Sequence, residues 1–380
     1  MNTTITIAGA GPAGLTTARH LAEEGWQVTV LEEHKKIGKP MQCAGLISKA
    51  GAVINKLPVQ DCILNEIQGA RIFAPNGEKL FLHKYETVAL VLDREKLDLN
   101  CLKEAEKHGV EVRTNCKLID ARTDTVFLQQ DERGEMLKTK ILVGADGANS
   151  KVRSILGLRM PSENFVNSFQ IRAKGRFEKE FVELHLGNFA KGFFAWVVPE
   201  SRDTARIGIG TSVQENAQQA LDKFLKEKNI SVQKIEHTAG VIPIGQPLKE
   251  ACKGNALLVG DAGFHAKATT GGGIVTGSIA ARIAAETITE HLRNKKPLKN
   301  FDKNLAGLNK DLLLHWKVRR FLNSQTDEQL NRLFEKMKKA KIEEFLEKHG
   351  NMDHPSLFAG KLLSNPKIWF LLPEALKALR

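Results

Sequence analysis

The stretch TITIAGAGPAG, residues 4–14, decides the fold. Its first half has the apolar, β-branched composition of a buried strand, and its glycines match the G-x-G-x-x-G pattern of a Rossmann turn. In that pattern Gly9 allows the tight turn, Gly11 lets the backbone approach a pyrophosphate, and Gly14 permits close packing of the following helix. The N–H groups at the start of this helix, around Ala13, would face the phosphates. The stretch therefore predicts a bound dinucleotide.

The residues after the turn complete a βαβ unit. A helical pattern continues to Glu24, Gly25 is placed to end it, and a second strand is expected at residues 27–31. Glu32 follows that strand and lies eighteen positions after Gly14 (32 − 14). A carboxylate at this place can accept hydrogen bonds from a ribose diol, which supports a dinucleotide without distinguishing FAD from NAD.

Two later segments favour FAD. The sequence LLVGDA, residues 257–262, predicts a buried strand that ends in Gly-Asp. Asp261 could there meet the ribityl chain of a flavin, and a simple helix cap is the alternative. The glycines of TTGGGI, residues 269–274, open a helix, and their amides would face the negative charge that develops on the isoalloxazine N1–C2 carbonyl edge. The cofactor contacts expected in these two segments are Asp261, Gly271, Gly272, Gly273 and Ile274.

Length and composition limit the class of protein. The 380 residues suffice for two structural units, or for one large α/β domain with an insertion. No run approaches the roughly 18–20 apolar residues that cross a bilayer, and the start shows no secretory signal. Five cysteines without CxxC spacing indicate a reducing compartment and no zinc site. We therefore expect a cytoplasmic protein.

The chain is basic, with a formal net charge of +12 at pH 7. This charge favours anionic partners such as phosphorylated substrates or acidic lipid headgroups, although lysines that only solubilise the surface explain it equally well. The chain has a single tyrosine and no basic motif with interleaved aromatic residues. We therefore expect no nucleic acid among its partners.

The order of predicted elements indicates an α/β fold class, α+β overall. Short alternating strands are expected between residues 165 and 210, inserted between Rossmann-type segments, and helices from residue 298 onward. We predict a Rossmann-type FAD-binding domain, an inserted β-sheet substrate domain and a C-terminal helical region. The first would comprise residues 1–72, 87–160 and 240–296, the second residues 73–86 and 161–239, and the third residues 297–380.

Motifs spread over nearly the whole chain point to one family. PMQCAG at residues 40–45 is similar to a Pro-x-x-Cys-Gly segment, and LDREKLD at residues 92–98 to an Asp-Arg-x-x-Phe-Asp element. FAWVVP at residues 194–199 is similar to Tyr-x-Trp-x-Phe-Pro, and KATTGGGI at residues 267–274 to Lys-Pro-Thr-Thr-Gly-Gly-Gly-Ile. These motifs resemble those of the geranylgeranyl reductase family, which includes digeranylgeranylglycerophospholipid reductases, within the para-hydroxybenzoate hydroxylase-like FAD-dependent oxidoreductases.

This resemblance implies an enzyme that saturates isolated carbon–carbon double bonds of a geranylgeranyl-type chain. Reduced flavin would deliver hydride from N5 while a proton reaches the other carbon, because an isolated alkene is not electrophilic. Cys43, or a water that it holds, would lie on the proton route. Electrons would come from NADPH or from ferredoxin, a redox partner protein, and the substrate would be a polyprenyl lipid or a prenyl diphosphate. The resemblance implies further cofactor contacts at Cys43, Ala44, Gly45, Arg94 and Leu118, and substrate contacts at Phe194, Trp196 and Pro199.

The chain departs from the family pattern at four positions. Gln42 stands where many members have arginine, and Ala44 replaces a glycine. Phe194 replaces a tyrosine, which removes a hydroxyl that could bind a headgroup. Glu200 stands where lysine or arginine is common and would repel a phosphate. These changes leave the expected flavin site intact and argue against a diphosphate or phospholipid headgroup at this position.

An apolar, aromatic stretch near the C-terminus has two explanations. Ordinary core packing is one, and peripheral contact with an anionic membrane, helped by interspersed lysines, is the other. The stretch comprises Phe358, Leu362, Leu363, Trp369, Phe370, Leu371 and Leu372, with Lys361, Lys367 and Lys377.

Two other functions also stay open: an FAD-dependent aromatic or polyketide monooxygenase, which would use the same nucleotide elements, and a non-catalytic flavoprotein in electron transfer.

Overall fold

The computed structural model describes residues 4–357 and Lys361. Its strands are β1 (Ile5–Ala8), β2 (Val28–Leu31), β3 (Leu46–Ser48), β4 (Ile63–Ile67), β5 (Gly69–Phe73), β6 (Lys79–His83), β7 (Ala89–Leu92), β8 (Glu111–Arg113), β9 (Cys116–Arg122), β10 (Thr125–Gln130), β11 (Arg133–Lys138), β12 (Ile141–Gly144), β13 (Phe165–Lys174), β14 (Phe181–His185), β15 (Ala195–Pro199), β16 (Thr204–Ser212), β17 (Gln233–Pro243), β18 (Cys252–Lys253) and β19 (Ala256–Leu258). Its helices are α1 (Pro12–Glu23), α2 (Lys49–Ile54), α3 (Arg94–Lys107), α4 (Lys151–Ile155), α5 (Ala217–Glu227), α6 (Ile274–Asn294), α7 (Asn300–Asn304), α8 (Ala306–Asn323), α9 (Asp327–Lys339) and α10 (Ile342–His349).

A parallel sheet carries the Rossmann turn. In the described part of the chain its order is β18-β19-β12-β1-β2-β8, and every neighbouring pair is parallel except β18 with β19. β1, β2 and β12 are buried along their whole length, as strands covered by helices on both faces must be. α1 connects β1 to β2 and packs against α3 and α6. The predicted α/β fold with a Rossmann-type unit is confirmed.

Local hydrogen bonding and turn geometry set the ends of α5 and β19. α5 begins at Ala217, because the Asn216 side chain accepts a hydrogen bond from the Gln219 N–H and caps the helix. β19 ends at Leu258, because Gly260 has a φ of +62° and begins a 3₁₀ turn. Capping and turn chemistry therefore set boundaries that periodicity locates only approximately.

A larger, mostly antiparallel sheet stands beside the Rossmann unit. Among the described strands its order is β17-β13-β16-β15-β14-β5-β6, and only β14 with β5 is parallel. α5 covers one face, where Leu221 and Phe224 are buried. The other face carries Trp196 on β15 and Arg206 on β16, and its apolar residues pack with α9 and α10. The exact division of the chain at the predicted domain boundaries stays a prediction.

Two antiparallel three-stranded sheets, β11-β10-β9 and β3-β7-β4, complete the strands described here. The segment after α10 is joined to the core through the buried Asp353, whose carboxylate accepts hydrogen bonds from Lys267 Nζ at 2.7 Å and from the Ser48 hydroxyl.

Within residues 4–357, no helix is long and apolar enough to cross a membrane. The apolar stretch from Phe358 to Leu372, with Lys367 and Lys377, lies outside the described residues except for Lys361.

Candidate active site

The turn between β1 and α1 has the close contacts that its glycines predict. A Cβ at Gly14 would overlap the carbonyl oxygen of Gly9, so the helix can approach the strand only because residue 14 has no side chain. A Cβ at Gly11 would meet nothing within 4 Å, which leaves open space in front of the start of α1. Unpaired amides at the first turn of a helix bind phosphate well. The turn is therefore built for a pyrophosphate.

Glu32 closes one side of this turn. Its Oε2 accepts a hydrogen bond from the Ala10 N–H at 2.9 Å, and its Oε1 accepts one from the His34 N–H at 2.9 Å. The His34 ring lies 2.6 Å from the same Oε1 through Nδ1. These contacts hold the carboxylate at the end of β2, the place from which a ribose diol would be bound.

Arg94 begins α3 and lies beside the Cys43 thiol. Its Nη2 donates to Asp98 Oδ1 at 2.9 Å, and its side chain is 12% exposed. Burial alone would lower the pKa of the Arg94 guanidinium, but Asp98 and the Cys43 thiol hold that pKa above its usual range. Arg94 Nε is buried without a partner among the described residues, and the Gly45 N–H donates to Cys43 Sγ at 3.3 Å. The Gly45 N–H thus donates to the Cys43 sulfur, and the Arg94 guanidinium lies near enough for the two groups to interact electrostatically.

Asp261 lies at the start of α6. A Cβ at Gly273 would be 2.8 Å from Asp261 Oδ1, yet no described residue donates a hydrogen bond to this carboxylate. The N-cap of α6 is Gly273, without a side-chain cap, so the alternative of Asp261 as a helix cap is wrong. Burial raises the pKa of Asp261 to about 6, while Arg94 and Arg153 act in the opposite direction. The carboxylate is left available to hydroxyl donors such as those of a ribityl chain.

The glycines before α6 do not contribute equally. The Gly271 N–H donates to the Lys267 carbonyl at 2.7 Å, and the Gly272 N–H lies 3.4 Å from the Thr270 hydroxyl oxygen. These two amides are therefore engaged within the loop, which narrows the expectation that all three face a flavin. Gly273 and the first residues of α6, beginning with Ile274, remain to present N–H groups to an anionic edge.

A triad of Arg206, Glu200 and Arg172 that sequence reasoning missed supports the Cys43 loop, and its first two members are buried. Arg206 Nη1 donates to the Ala44 carbonyl at 2.9 Å and to the Leu92 carbonyl at 3.2 Å. Arg206 Nε donates to Glu200 Oε1 at 2.7 Å, and Arg172 Nε donates to Glu200 Oε2 at 2.6 Å. Glu200 is therefore buried and neutralised, and the expectation that it would repel a phosphate is wrong. The signal available in the sequence was an arginine at an inward position of the buried strand that also carries Gly208 and Gly210.

Trp196 and Pro199, two of the candidate substrate residues, lie on β15, and the third, Phe194, directly precedes this strand. Phe194 forms an edge-to-face pair with Trp196 at 5.9 Å between ring centroids and stacks on Phe193 at 4.2 Å. Trp196 Nε1 donates to Gln170 Oε1 at 3.0 Å, so the indole has its polar atom satisfied. The three rings make an apolar wall whose polar atom is already bonded.

Pro199 and Leu118 lie apart from this wall. The Pro199 carbonyl accepts a hydrogen bond from Asn65 Nδ2 at 2.9 Å. Leu118 is buried on β9, where it pairs with Leu128 and packs into the large hydrophobic core. The contacts of these two residues are structural, and their predicted roles in binding remain predictions.

The groups left without protein partners fit FAD. Gly11 faces open space for a pyrophosphate, and the Asp261 carboxylate is unbonded beside the start of α6. His265 adds an unpartnered Nδ1 in the described region, and burial lowers the pKa of its ring to about 4, so the ring is neutral. Gly11 would lie against the pyrophosphate and Asp261 against the ribityl chain, while Gly273 and the first residues of α6 would present N–H groups to the anionic edge of the flavin.

Known proteins resemble this chain in sequence and in fold. Residues 2–302 match the family described as FAD binding domain. An uncharacterized protein of Methanocaldococcus jannaschii is 28% identical over 375 residues, with 95% of each chain covered. A digeranylgeranylglycerophospholipid reductase of Methanothrix thermoacetophila is 26% identical over 394 residues, with 98% of this chain and 99% of the relative covered. Among solved structures, a geranylgeranyl bacteriochlorophyll reductase-like protein of Thermoplasma acidophilum has a TM-score of 0.84 at 20% identity, with 98% of this chain and 99% of that chain covered.

The resemblance that the motifs predicted is confirmed by the names of these relatives, and the solved structure shows that the fold is shared. The family match extends over most of the chain and includes the Rossmann turn, the Cys43 loop, Arg94 and the start of α6. The chain belongs to the FAD-binding domain family of flavoproteins.

Proposed function

We propose that this flavoprotein is a reductase that saturates isolated carbon–carbon double bonds of a polyprenyl chain of the geranylgeranyl type. Its relatives include proteins named as digeranylgeranylglycerophospholipid reductases. The observation that carries the proposal is the placement of the Cys43 thiol beside the Arg94 guanidinium. FAD in its reduced form would supply the hydride, and the residues of this chain would supply the proton and the apolar surroundings.

Cys43 is the proposed proton donor. When a thiol gives up its proton it leaves a thiolate, and a neighbouring cation together with N–H donors stabilises that anion. Arg94 provides the cation, and the Gly45 N–H donates to the sulfur. Asp98 fixes Arg94 by the 2.9 Å contact, so the positive charge cannot turn away from the loop.

Phe194 and Trp196 are the proposed wall of the substrate site. An isolated alkene has no polar group to bind, so it must be positioned by shape and by exclusion of water. The bond from Trp196 Nε1 to Gln170 leaves the indole with no free donor to attract water. Phenylalanine at position 194, without a hydroxyl, extends the same surface.

The proposal also concerns the headgroup of the substrate and the source of the electrons. Since Glu200 is neutralised by Arg206 and Arg172, it presents no obstacle to a phosphate-bearing substrate. A polyprenyl lipid and a prenyl diphosphate are both compatible with the site, and NADPH and ferredoxin are the donors to compare. A lipid substrate would bring the enzyme to a membrane surface, and salt-sensitive sedimentation with anionic liposomes tests that contact.

Expression in a host that makes unsaturated geranylgeranyl lipids tests the proposal. Mass spectrometry of the extracted lipids is expected to show a gain of one H₂ for every bond reduced, absent from a host carrying the empty vector. Oxygen-dependent hydroxylation of an aromatic or polyketide compound by the purified protein would instead indicate a monooxygenase. Bound FAD that is reduced but transfers hydride to no alkene would indicate a non-catalytic flavoprotein.

A further inference from the structure

Arg319 is a buried cation that lacks a carboxylate partner in the described part of the chain. It lies on α8, is 2% exposed, and donates only to neutral oxygens. Its acceptors are the carbonyls of Ala268 at 3.0 Å, Thr269 at 2.6 Å and Phe193 at 3.2 Å, with Asn323 Oδ1 at 3.5 Å. Burying a charge in this way is costly unless an opposite charge accompanies it, so an uncompensated guanidinium calls for an explanation.

Acidic groups act on the other buried cations of the described residues. Arg153 donates to the Ala262 and Ala148 carbonyls, and burial lowers its pKa, but Asp146 and Asp261 oppose that shift. Lys267 lies 2.7 Å from Asp353, and Arg206 lies 2.7 Å from Glu200. Burial lowers the pKa of Arg319 to about 9, with no opposing contribution from an acidic group, and this value still keeps the guanidinium protonated at neutral pH. The site therefore holds a permanent positive charge that the surrounding side chains do not neutralise.

The charge lies directly behind the loop that opens α6. Two of its acceptors, Ala268 and Thr269, belong to that loop. The guanidinium also lies 4.6 Å from the ring centroid of Phe193, and a Cβ at Gly271 would be 3.3 Å from the far edge of the same ring. The Phe193 ring therefore contacts the Arg319 guanidinium and also lies close to Gly271.

α8 holds the same loop at a second point. His315, one turn before Arg319, lies 2.6 Å from the Thr269 hydroxyl oxygen through Nδ1. Burial lowers the pKa of His315 to about 4, so this ring is neutral and adds no charge. Thr269 is thus bound through its carbonyl by Arg319 and through its side chain by His315, and its conformation is set by α8.

We propose that Arg319 is a positioning residue for the flavin: it fixes the loop before α6 through the Ala268 and Thr269 carbonyls and places an uncompensated positive charge behind that loop. A reduced flavin in its anionic form carries a negative charge that the oxidised form lacks. A fixed cation in a low-dielectric interior stabilises the anion selectively and raises the reduction potential of the bound cofactor. The inference rests on the FAD of the proposed function and not on its prenyl substrate.

The reduction potential of the bound FAD in R319Q tests this inference on the full-length holoenzyme, in the absence of any alkene. The ratio of reduced to oxidised flavin at a fixed dye potential is expected to fall at least tenfold, which corresponds to about 30 mV for a two-electron couple. R320Q is the matched control, because Arg320 is the next residue of α8 and is exposed, so its loss changes net charge equally without touching the loop. An unchanged potential in R319Q, or an equal fall in R320Q, would overturn the proposal.

R319K keeps the test decisive even if R319Q does not fold. Lysine retains the charge but has no planar fork to bind two carbonyls at once. We expect a potential near that of the parent and a several-fold weaker affinity for FAD, because the loop is no longer fixed. Parental FAD affinity in R319K contradicts the positioning role, and a potential that falls despite the retained charge contradicts the electrostatic role. A protein that passes these tests yet reduces no prenyl chain refutes the proposed function alone.

Discussion

Glu200 accepts a hydrogen bond from Arg206 Nε at 2.7 Å, and both side chains are buried. Arg206 in turn binds the Ala44 carbonyl at 2.9 Å, so the pair connects β16 to the loop that carries Cys43. The negative charge of Glu200 is therefore paired with an arginine of the protein and does not act on a substrate. Glu200 allows Arg206 to be buried beside the loop that carries Cys43, and Arg206 holds the proposed proton donor in place.

Glu200→Gln is expected to destabilise the protein by about 3 kcal/mol, because it leaves the buried Arg206 without its counter-charge. Urea unfolding of the FAD-loaded protein measures the change. Glu227→Gln is the matched control, since Glu227 forms only an exposed pair with Lys223 at 3.7 Å, and its loss should cost below about 1 kcal/mol. Equal effects of the two substitutions would show that the buried pair has no special role.

Cys43→Ala is expected to lower the rate of alkene reduction by about 10²-fold or more while FAD stays bound, because a positioned acid is lost. Single-turnover kinetics of the pre-reduced enzyme measure the chemical step. Cys252→Ala removes a buried cysteine on β18 and should leave the rate per bound FAD unchanged. A parental rate in the Cys43 variant would rule out the thiol as proton donor.

Asp261→Asn is expected to make the protein without FAD more stable at pH 7 and yet to weaken FAD binding. Burial raises the pKa of Asp261 from 3.8 to about 6, so the folded protein holds a proton that the unfolded chain releases near pH 3.8. The stabilisation is complete below pH 3.8 and is lost as the pH rises through about 6. The midpoint temperature of thermal unfolding of the FAD-free protein should fall more steeply between pH 4 and pH 7 for the parent than for the variant. Identical pH profiles for the parent and the variant would refute the raised pKa of Asp261.

Gly11→Ala and Gly14→Ala should have opposite effects. The added methyl at position 11 meets no protein atom within 4 Å, so the fold should keep its stability while FAD affinity falls. The methyl at position 14 overlaps the Gly9 carbonyl and should cost about 1–3 kcal/mol of stability. Calorimetric titration with FAD and thermal unfolding separate the two effects. Undiminished FAD affinity in Gly11→Ala would mean that the pyrophosphate does not lie at this turn.

The sequence predicts those parts of the site that are built from neighbours along the chain. Gly9, Gly11, Gly14 and Glu32 lie within one βαβ unit, so their spacing alone indicates a dinucleotide. Asp261 and Gly273 follow the same logic, since each marks the end or the beginning of an element. Local rules of turns and helix termini are enough for these positions.

The supporting residues could not be predicted in this way, because their partners are distant in sequence. Arg206 and the Ala44 carbonyl are 162 positions apart, and Arg319 and the Phe193 carbonyl are 126 apart. For Glu200 the sequence showed the charge but not the two arginines around it, and the charge alone suggested the wrong role. Buried ionic groups depend on tertiary pairing, which a local pattern does not contain.

The most direct test of the central claim is an anaerobic single turnover. FAD-loaded protein is reduced, freed of excess reductant and mixed with a geranylgeranyl lipid, and flavin absorbance and lipid mass are followed together. We predict that oxidised flavin reappears without oxygen and that each flavin oxidised corresponds to one H₂ added to the lipid. Flavin that stays reduced until oxygen is admitted, with the lipid unchanged, would contradict the account.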